Sequence, residues 1–496
     1  MVYEYACEVT KKKEQNNYYA EKLVFYCGKS RTSGSRRKYS RSEKLKYIWF
    51  FSHLIVLLQK QKIMIMSIDQ LYDIFLKHPI VTTDSRDCPE GSLFFALKGE
   101  SFDGNAYAAA ALEKGCSYAV IDEERYFTDE RTILVDDVLT TLQQLARHHR
   151  RALALPIVGV TGTNGKTTTK ELISAVLSRR YKVHYTQGNF NNHIGVPKTL
   201  LQLTAEHEMA VVEIGANHPG EIRTLVNIAE PDAGIITNVG MAHLEGFGSF
   251  EGVKRTKGEL YDFLRQKEQS IVFLNHDNEH LRQMAQGLHT ICYGTKADPS
   301  LAVEGQVIGC SPYLNFRWRA NGGEWYEVHT HLIGAYNIDN MLAAACIGRH
   351  YGVADSEINA ALSNYIPTNN RSQLTHTATN HLVVDAYNAN PTSMAAAISN
   401  FRLMEVPHKM AIIGQMGELG AVSQTEHQRV IQMLEEASLE EVWLVGDLWH
   451  GIDHHFRHFD DVEQVKAEIE RQSPTGKYIL IKGSNANRLY QLPALL

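Results

Sequence analysis

Leu155 to Val160 runs straight into Thr161-Gly162-Thr163-Asn164-Gly165-Lys166-Thr167-Thr168-Thr169, and no other junction limits so sharply what this chain can fold into. The apolar run reads as a buried strand. The glycines turn the chain tightly, and from Lys166 to Arg180 the residues Leu172, Ile173, Val176 and Leu177 recur at helical spacing. A strand, a glycine-rich turn and a helix in succession imply a parallel sheet, because parallel strands need a crossover connection. Such a turn points backbone N–H groups at an anion, and the helix N-terminus adds positive potential. Lys166 is then placed to reach the terminal phosphates of a nucleotide, and Thr167 to ligate Mg²⁺. The strict phosphate-loop pattern has glycine where Val160 stands, so the loop is a variant. An ordinary strand–helix junction would not combine strand, loop, Lys-Thr pair and helix.

The alternation extends in both directions. Met209 to Ile214 and Ala233 to Val239 read as further buried strands, so the sheet is expected to be parallel and covered on both faces. Upstream, Ser92 to Leu97 and Tyr118 to Ile121 read as strands around a helix from Tyr107 to Lys114, and a longer helix spans Thr140 to Arg151. Downstream, Ile366 to Asn370 reads as a linker. Strands then recur at His381 to Val384, Lys409 to Ile413, Glu441 to Val445 and Tyr478 to Ile481. A chain of 496 residues is too long for one core. The expected architecture is α/β with three domains: a small α/β domain over 66–152, a central parallel-sheet phosphate-loop domain over 153–366, and a Rossmann-like doubly wound domain over 367–496.

Residues 1–65 differ from the rest. They are rich in Lys and Arg, and their one apolar run, Tyr47 to Leu58, falls short of the roughly 18 to 20 residues a spanning helix needs. Three readings stay open: a disordered basic tail, a membrane-surface anchor, or a translation start placed too far upstream, with Met64 and Met66 just before the first well-patterned segment. The net charge of -6 speaks against nucleic-acid binding. Seven scattered cysteines form no CxxC pair, which argues against a zinc site or a disulfide framework and suits a reducing cytosol.

Glu213 and His243 each follow an apolar strand, at the edge where α/β sheets bind ligands. A carboxylate there suits Mg²⁺, and a neutral imidazole can also ligate a metal. Taken singly, each is as readily a hydrogen-bonded strand end. Together with the loop they resemble the Mur ligases over nearly all of Ser67 to Leu496. Gly162-Thr163-Asn164-Gly165-Lys166-Thr167-Thr168 is similar to that family's ATP loop, and Gly334-Ala335-Tyr336-Asn337-Ile338-Asp339-Asn340 to its adenine-side pair, Asn337 and Asn340. Gly188 to Pro197 resembles the branch that adds D-alanyl-D-alanine. The resemblance implies Glu213 and His243 as magnesium ligands and Lys257 as a carbamylated lysine beside a second Mg²⁺; from spacing alone Lys257 reads as a surface lysine on an amphipathic helix.

In the third domain, Asp385 to Met394 resembles the family's nucleotide-contacting loop, with Asp385 on the ribose. Arg371 is expected to reach ATP phosphate on domain closure, and Lys482 to neutralise an acyl phosphate, although a lone lysine after a strand is commonly solvated. Asn388 and Ser484 are assigned to the D-Ala-D-Ala region. Gly414 to Gly420 also resembles a family segment, with Gln415 left without a role. In the first domain Thr83-Asp84-Ser85-Arg86 and Phe94 to Gly99 resemble the UDP-binding region. They nominate Ser85, Arg86, Phe95, Ala96 and Lys98, with Asn191 and Asn192 from the central domain. His450, His454, His455 and His458 read as a solvated face: His454 and His458 have helical spacing, but no carboxylate or cysteine completes a metal site.

The resemblance implies a cytoplasmic, monomeric enzyme. It uses ATP and two Mg²⁺ to activate the terminal carboxylate of a UDP-N-acetylmuramoyl tripeptide as an acyl phosphate, then joins it to D-Ala-D-Ala. Two rival readings are the sister ligase that adds the third amino acid, whose Asp-Asn-Pro-Arg motif is missing from the third domain, and a non-catalytic nucleotide-binding scaffold, which intact Lys166, Glu213, His243 and Lys257 oppose.

Overall fold

The structure is a computed structural model that describes residues 66–367 and 373–496; the expectations for residues 1–65 and for Arg371 fall outside the described residues. No helix among the described residues is long and apolar enough to cross a membrane.

Three sheets organise the described residues. The first has four parallel strands in chain order, Val81–Thr82, Leu93–Phe95, Tyr118–Ile121 and Thr132–Leu134. Helix Ile68–Lys77 opens with a capping box between Ser67 and Gln70. Helix Val138–Leu153 starts where the Asp137 side chain accepts from Thr140 N and stops at Ala154, which is left-handed. Its Leu142 and Leu145 join a core that includes Phe95 and Val120 of the first sheet and Ile157 and Val212 of the second, so the two sheets share apolar packing.

The second sheet has nine strands. Val183–Tyr185, Met209–Glu213, Ile157–Thr161, Ala233–Ile236, Ile271–Asn275, Thr290–Gly294 and Leu301–Cys310 run parallel, and Tyr313–Ala320 and Tyr326–Ile333 extend the sheet antiparallel. The parallel sheet expected from sequence is present over seven strands, and its far edge adds two antiparallel strands that the sequence reading did not foresee. The physical reason is one-sided burial. Along these last strands buried and exposed residues alternate, with Phe316, Trp318 and Val328 turned inward toward the core that holds helix Ile338–His350. Such strands carry a period-two pattern, not the continuous apolar run of a two-sided parallel strand.

The third sheet is ordered Gln373–His376, His381–Asp385, Tyr478–Lys482, Lys409–Gly414, Glu441–Val445, Arg457–Phe459, with only the first strand antiparallel. Val383, Ala411 and Leu444 face one core, and Leu382, Val384, Ile412 and Trp443 face another, so the strands are buried on both sides. His454 and His458 do not share a helical face, because Arg457–Phe459 is an edge strand. The carboxyl ends of the second and third sheets supply the residues described next.

Candidate active site

The loop after Ile157–Thr161 needs its glycines. A Cβ on Gly162, at φ +144°, would lie 2.0 Å from Thr237 Oγ1, and one on Gly165, at φ +77°, would lie 2.8 Å from Asn340 Oδ1. The neighbouring strand end holds the loop in place. Thr163 N donates to Asn238 O at 3.0 Å, Asn164 N to Asn238 Oδ1 at 3.0 Å, and Thr237 Oγ1 to Asn164 O at 2.6 Å. Helix Lys166–Leu177 begins at Gly165 with no side-chain cap hydrogen bond among the described residues. Lys166 Nζ donates to the loop's own carbonyls, Gly162 O at 2.9 Å and Thr163 O at 3.1 Å.

These residues line a cavity of about 590 Å³. Thr163, Asn164, Gly165, Lys166 and Thr168 form one wall; Thr167 and Gly162 are not in the lining. Thr167 is buried in the first helical turn. Asn337 and Asn340 also line the cavity: Asn340 Nδ2 donates to Asn337 Oδ1 at 2.8 Å, and Thr169 Oγ1 donates to Asn340 Oδ1 at 3.0 Å. Between them, Asp339 has its carboxyl pushed up to about 6 by burial and by nearby Asp277.

Glu213 ends Met209–Glu213 and is 1% exposed. Its Oε1 accepts from Asn191 Nδ2 at 2.8 Å, and its Oε2 is buried with no hydrogen-bond partner among the described residues. His243 lines the same cavity, and its Nδ1 contacts the Glu418 carboxylate from the third-sheet segment. Both residues adopt the left-handed backbone region, at φ +50° and +60°. Burial lowers the His243 pKa; Glu418 opposes that shift, while Lys166 and Lys257 reinforce it. Lys257 is not the surface lysine its spacing suggests. It is 2% exposed on helix Phe250–Arg265, its Nζ lies 5.3 Å from the Phe247 ring centroid, and it is not among the residues that line the cavity.

From the third sheet come Asp385, Asn388 and Lys482, all in the lining. Asp385 and Lys482 are register partners on adjacent parallel strands, and Lys482 Nζ bridges Asp385 Oδ2 at 2.9 Å and Asn388 O at 2.6 Å. The solvated lysine considered from sequence is corrected: Lys482 is 1% exposed, because it ends a strand flanked on both sides. Ser484 does not line the cavity; its Oγ donates to Asn487 Oδ1 and caps a short turn.

The first-sheet nominees lie elsewhere. Phe95 and Ala96 have fully buried side chains, so they offer a ligand no side-chain contact. Arg86 pairs with Asp84 at 2.7 Å, Ser85 O accepts from Lys114 Nζ, and Lys98 pairs with Asp122 and Glu123 at 2.9 and 3.0 Å. None of the five lines the cavity, whereas Asn191 and Asn192 do. Asn192 Oδ1 accepts from Ile194 N at 3.1 Å and Gly195 N at 2.9 Å, at the entry to helix Gly195–Leu201. Sequence reasoning missed two contacts between the second and third sheets. One is Glu418 on His243. The other is a reciprocal amide pair, Asn390 Nδ2 to Asn164 Oδ1 at 2.7 Å and Asn164 Nδ2 to Asn390 Oδ1 at 3.4 Å. Both Glu418 and Asn390 lie in segments that the family resemblance singled out, but nothing local names their partners.

Comparison with known proteins extends these observations. The Mur ligase middle domain matches residues 160–348, the Mur ligase glutamate ligase domain matches 370–485, and the Mur ligase family catalytic domain matches 78–150. The chain is 35% identical to UDP-N-acetylmuramoyl-tripeptide--D-alanyl-D-alanine ligase of Bacillus subtilis, over 83% of this chain and 92% of that protein. The Escherichia coli protein of the same name is 36% identical, over 82% and 91%. A crystal structure of MurF from Acinetobacter baumannii superposes with a TM-score of 0.75 at 31% identity, covering 84% of this chain and 92% of that one. MurF ligase from Thermotoga maritima, in complex with ADP, gives a TM-score of 0.75 at 27% identity, covering 85% and 97%.

Proposed function

The chain belongs to the Mur ligase family, whose members are ATP-dependent ligases, and from that premise we propose that it joins D-alanyl-D-alanine to a UDP-N-acetylmuramoyl tripeptide in peptidoglycan precursor synthesis. The observation that carries this reading is the single cavity in which the phosphate loop, Glu213 and His243, and the Asp385–Lys482 pair meet. The named relatives at 35 and 36% identity support the choice of substrates.

The reaction needs a carboxylate activated as a mixed anhydride with phosphate and an amine held beside it. The tripeptide carboxylate attacks the γ-phosphorus of ATP, ADP leaves, and an acyl phosphate remains. The amine of D-Ala-D-Ala adds to the carbonyl carbon, the tetrahedral adduct expels phosphate, and the amine loses a proton. Lys166 exchanges the carbonyls of Gly162 and Thr163 for phosphate oxygens. Asn337 and Asn340 take the adenine side, and Asp385 the ribose. Lys482, fixed between Asp385 and Asn388, stands ready to offset the acyl phosphate charge. Asn388 with Ser484 forms the D-Ala-D-Ala region, and Ser85, Arg86 and Lys98 with Asn191 and Asn192 the UDP-peptide side. Arg371 is assigned to phosphate from its position in the chain.

The site fits Mg²⁺. Glu213 Oε2 is a buried carboxylate oxygen without a donor among the described residues, and such an oxygen is a natural ligand for a hard cation. Burial favours the neutral imidazole of His243, the ligating form, and Glu418 on Nδ1 leaves Nε2 for a metal. Thr167 and a carbamylated Lys257 complete the proposed donors. Bound Mg²⁺ would neutralise charge on the transferring phosphoryl group. The same reading takes the domain borders at 66–152, 153–366 and 367–496 and places a monomer in the cytoplasm, with no nucleic-acid partner.

Phosphate release from ATP tests the proposal. It should require UDP-N-acetylmuramoyl tripeptide together with D-Ala-D-Ala. Release with the dipeptide omitted, or an equal rate with single amino acids, would remove it.

A further inference from the structure

We propose that His450, His458 and Asp460 form a binding site for a borderline divalent transition cation of the zinc type, separate from the catalytic cavity. One ligand atom from each residue lies within 4.8 Å of the other two. His450 Nε2 is 2.7 Å from Asp460 Oδ1, and the two imidazole rings have centroids 4.3 Å apart. Zinc-type ions take His nitrogen and carboxylate oxygen at about 2.0 to 2.2 Å, which spaces the ligand atoms about 3 to 4 Å apart, so small side-chain rotations close the site.

The fold assembles a set that spacing along the chain hides. His450 lies on the turn Asp447–Gly451 that follows strand Glu441–Val445, while His458 and Asp460 are on and just beyond Arg457–Phe459, the parallel neighbour of that strand. All three thus gather near the carboxyl ends of adjacent strands, the edge where doubly wound sheets bind ligands. The partners around them favour metal binding. His458 Nε2 contacts Gly446 O at 2.8 Å, which fixes the tautomer that leaves the Nδ1 lone pair for an ion. Asp460 is held twice by Gln464, whose Nε2 donates to Oδ2 at 3.1 Å and whose Oε1 accepts from Asp460 N at 3.0 Å. Two imidazoles and one carboxylate suit zinc, cobalt or nickel better than Mg²⁺, which prefers oxygen. The His450 and Asp460 side chains are 63 and 54% exposed, so water can complete the coordination.

The test uses the full chain, stripped with EDTA and held in excess Mg²⁺ so that oxygen-rich positions are filled. Zn²⁺ is titrated by calorimetry and Co²⁺ by its visible spectrum. One saturable equivalent is expected, with a Zn²⁺-dependent rise in melting temperature. His450→Gln, His458→Gln and Asp460→Asn should each weaken binding about 100-fold or more, while His455→Gln, outside the set, binds as wild type. The two exposed positions, 450 and 460, keep the test decisive if His458→Gln fails to fold. No saturable binding, or binding that survives at both exposed positions, overturns the site and leaves an ordinary His450–Asp460 ion pair.

Discussion

Replacing Lys257 with methionine separates a lysine kept for chemistry from one kept for packing. The side chain is 2% exposed, and among the described residues its Nζ has one long hydrogen bond, to Ala216 O at 3.4 Å. Burial drives its pKa well below the ordinary lysine value, and Lys166 pushes the same way against Glu221 and Glu259. That direction favours the neutral amine, the form that the proposed carbamylation would need. The neutral amine's lone pair forms the N–C bond to CO₂, and the nitrogen proton goes to solvent. Methionine keeps most of the buried stem, which is worth roughly 3 kcal/mol at 0.8 kcal/mol per methylene, and removes a poorly satisfied polar group that costs about 1 to 3 kcal/mol. Lys257→Met should therefore raise stability by about 1 to 3 kcal/mol at neutral pH. Because the folded pKa lies below the unfolded value of about 10.4, the cost of charge burial is absent above that pH and grows as pH falls through it. The gain from methionine should accordingly shrink between pH 7 and about pH 10.5. Turnover should fall about 10²- to 10³-fold, the usual consequence of losing one preorganised charge at a transferring group. Lys257→Arg should do no better, and Lys257→Glu should recover part. Melting curves at both pH values in CO₂-free buffer, phosphate-release rates, and a ¹³C carbamate signal from labelled bicarbonate are the measurements. A Lys257→Arg or Lys257→Met enzyme within a few-fold of wild-type turnover would refute the reasoning.

Four further outcomes are expected. Lys166→Ala should leave the melting temperature near wild type and reduce turnover by about 3 to 4 kcal/mol of transition-state stabilisation, read as phosphate release. Asp385→Asn leaves the Lys482 charge buried against one carbonyl and should cost about 3 kcal/mol in denaturant titration, whereas Lys482→Met should cost clearly less. Asp339 ionises near pH 6 in the fold against an ordinary 3.8, so its ionised form opposes folding: the penalty is absent below about pH 3.8, grows up to pH 6 and is full above it. Asp339→Asn should then be more stable than wild type at pH 7 by about 1 to 3 kcal/mol and match it near pH 4 in thermal melts. Asn390→Ala removes a helix N-cap worth about 1 kcal/mol and the amide pair to Asn164, so kcat should drop while UDP-peptide binding, followed by calorimetry, holds.

Much of the scaffold was legible along the chain. The strand, glycine turn and helix around Lys166, and the apolar runs at 209, 233, 409, 441 and 478, are set by local periodicity and by backbone positions that tolerate only glycine. Glu213, His243, Asp385 and Lys482 could be nominated because strand ends at one sheet edge are where ligands bind. Leu301–Cys310, Tyr313–Ala320 and Tyr326–Ile333 were missed because their one-sided burial spreads apolar residues two apart. Phe95 and Ala96 stand in a motif that resembles a binding region, yet only packing shows that their side chains fill a core. The burial of Lys257 and of Lys482, the meeting of His243 with Glu418 and of Asn164 with Asn390, and the approach of Asp460 to His450 were decided by tertiary structure alone. Periodicity and turn chemistry act over a few residues and are written in neighbouring side chains. A contact between residues 164 and 390 depends on how two sheets are set against each other, and that is the outcome of all the packing between them.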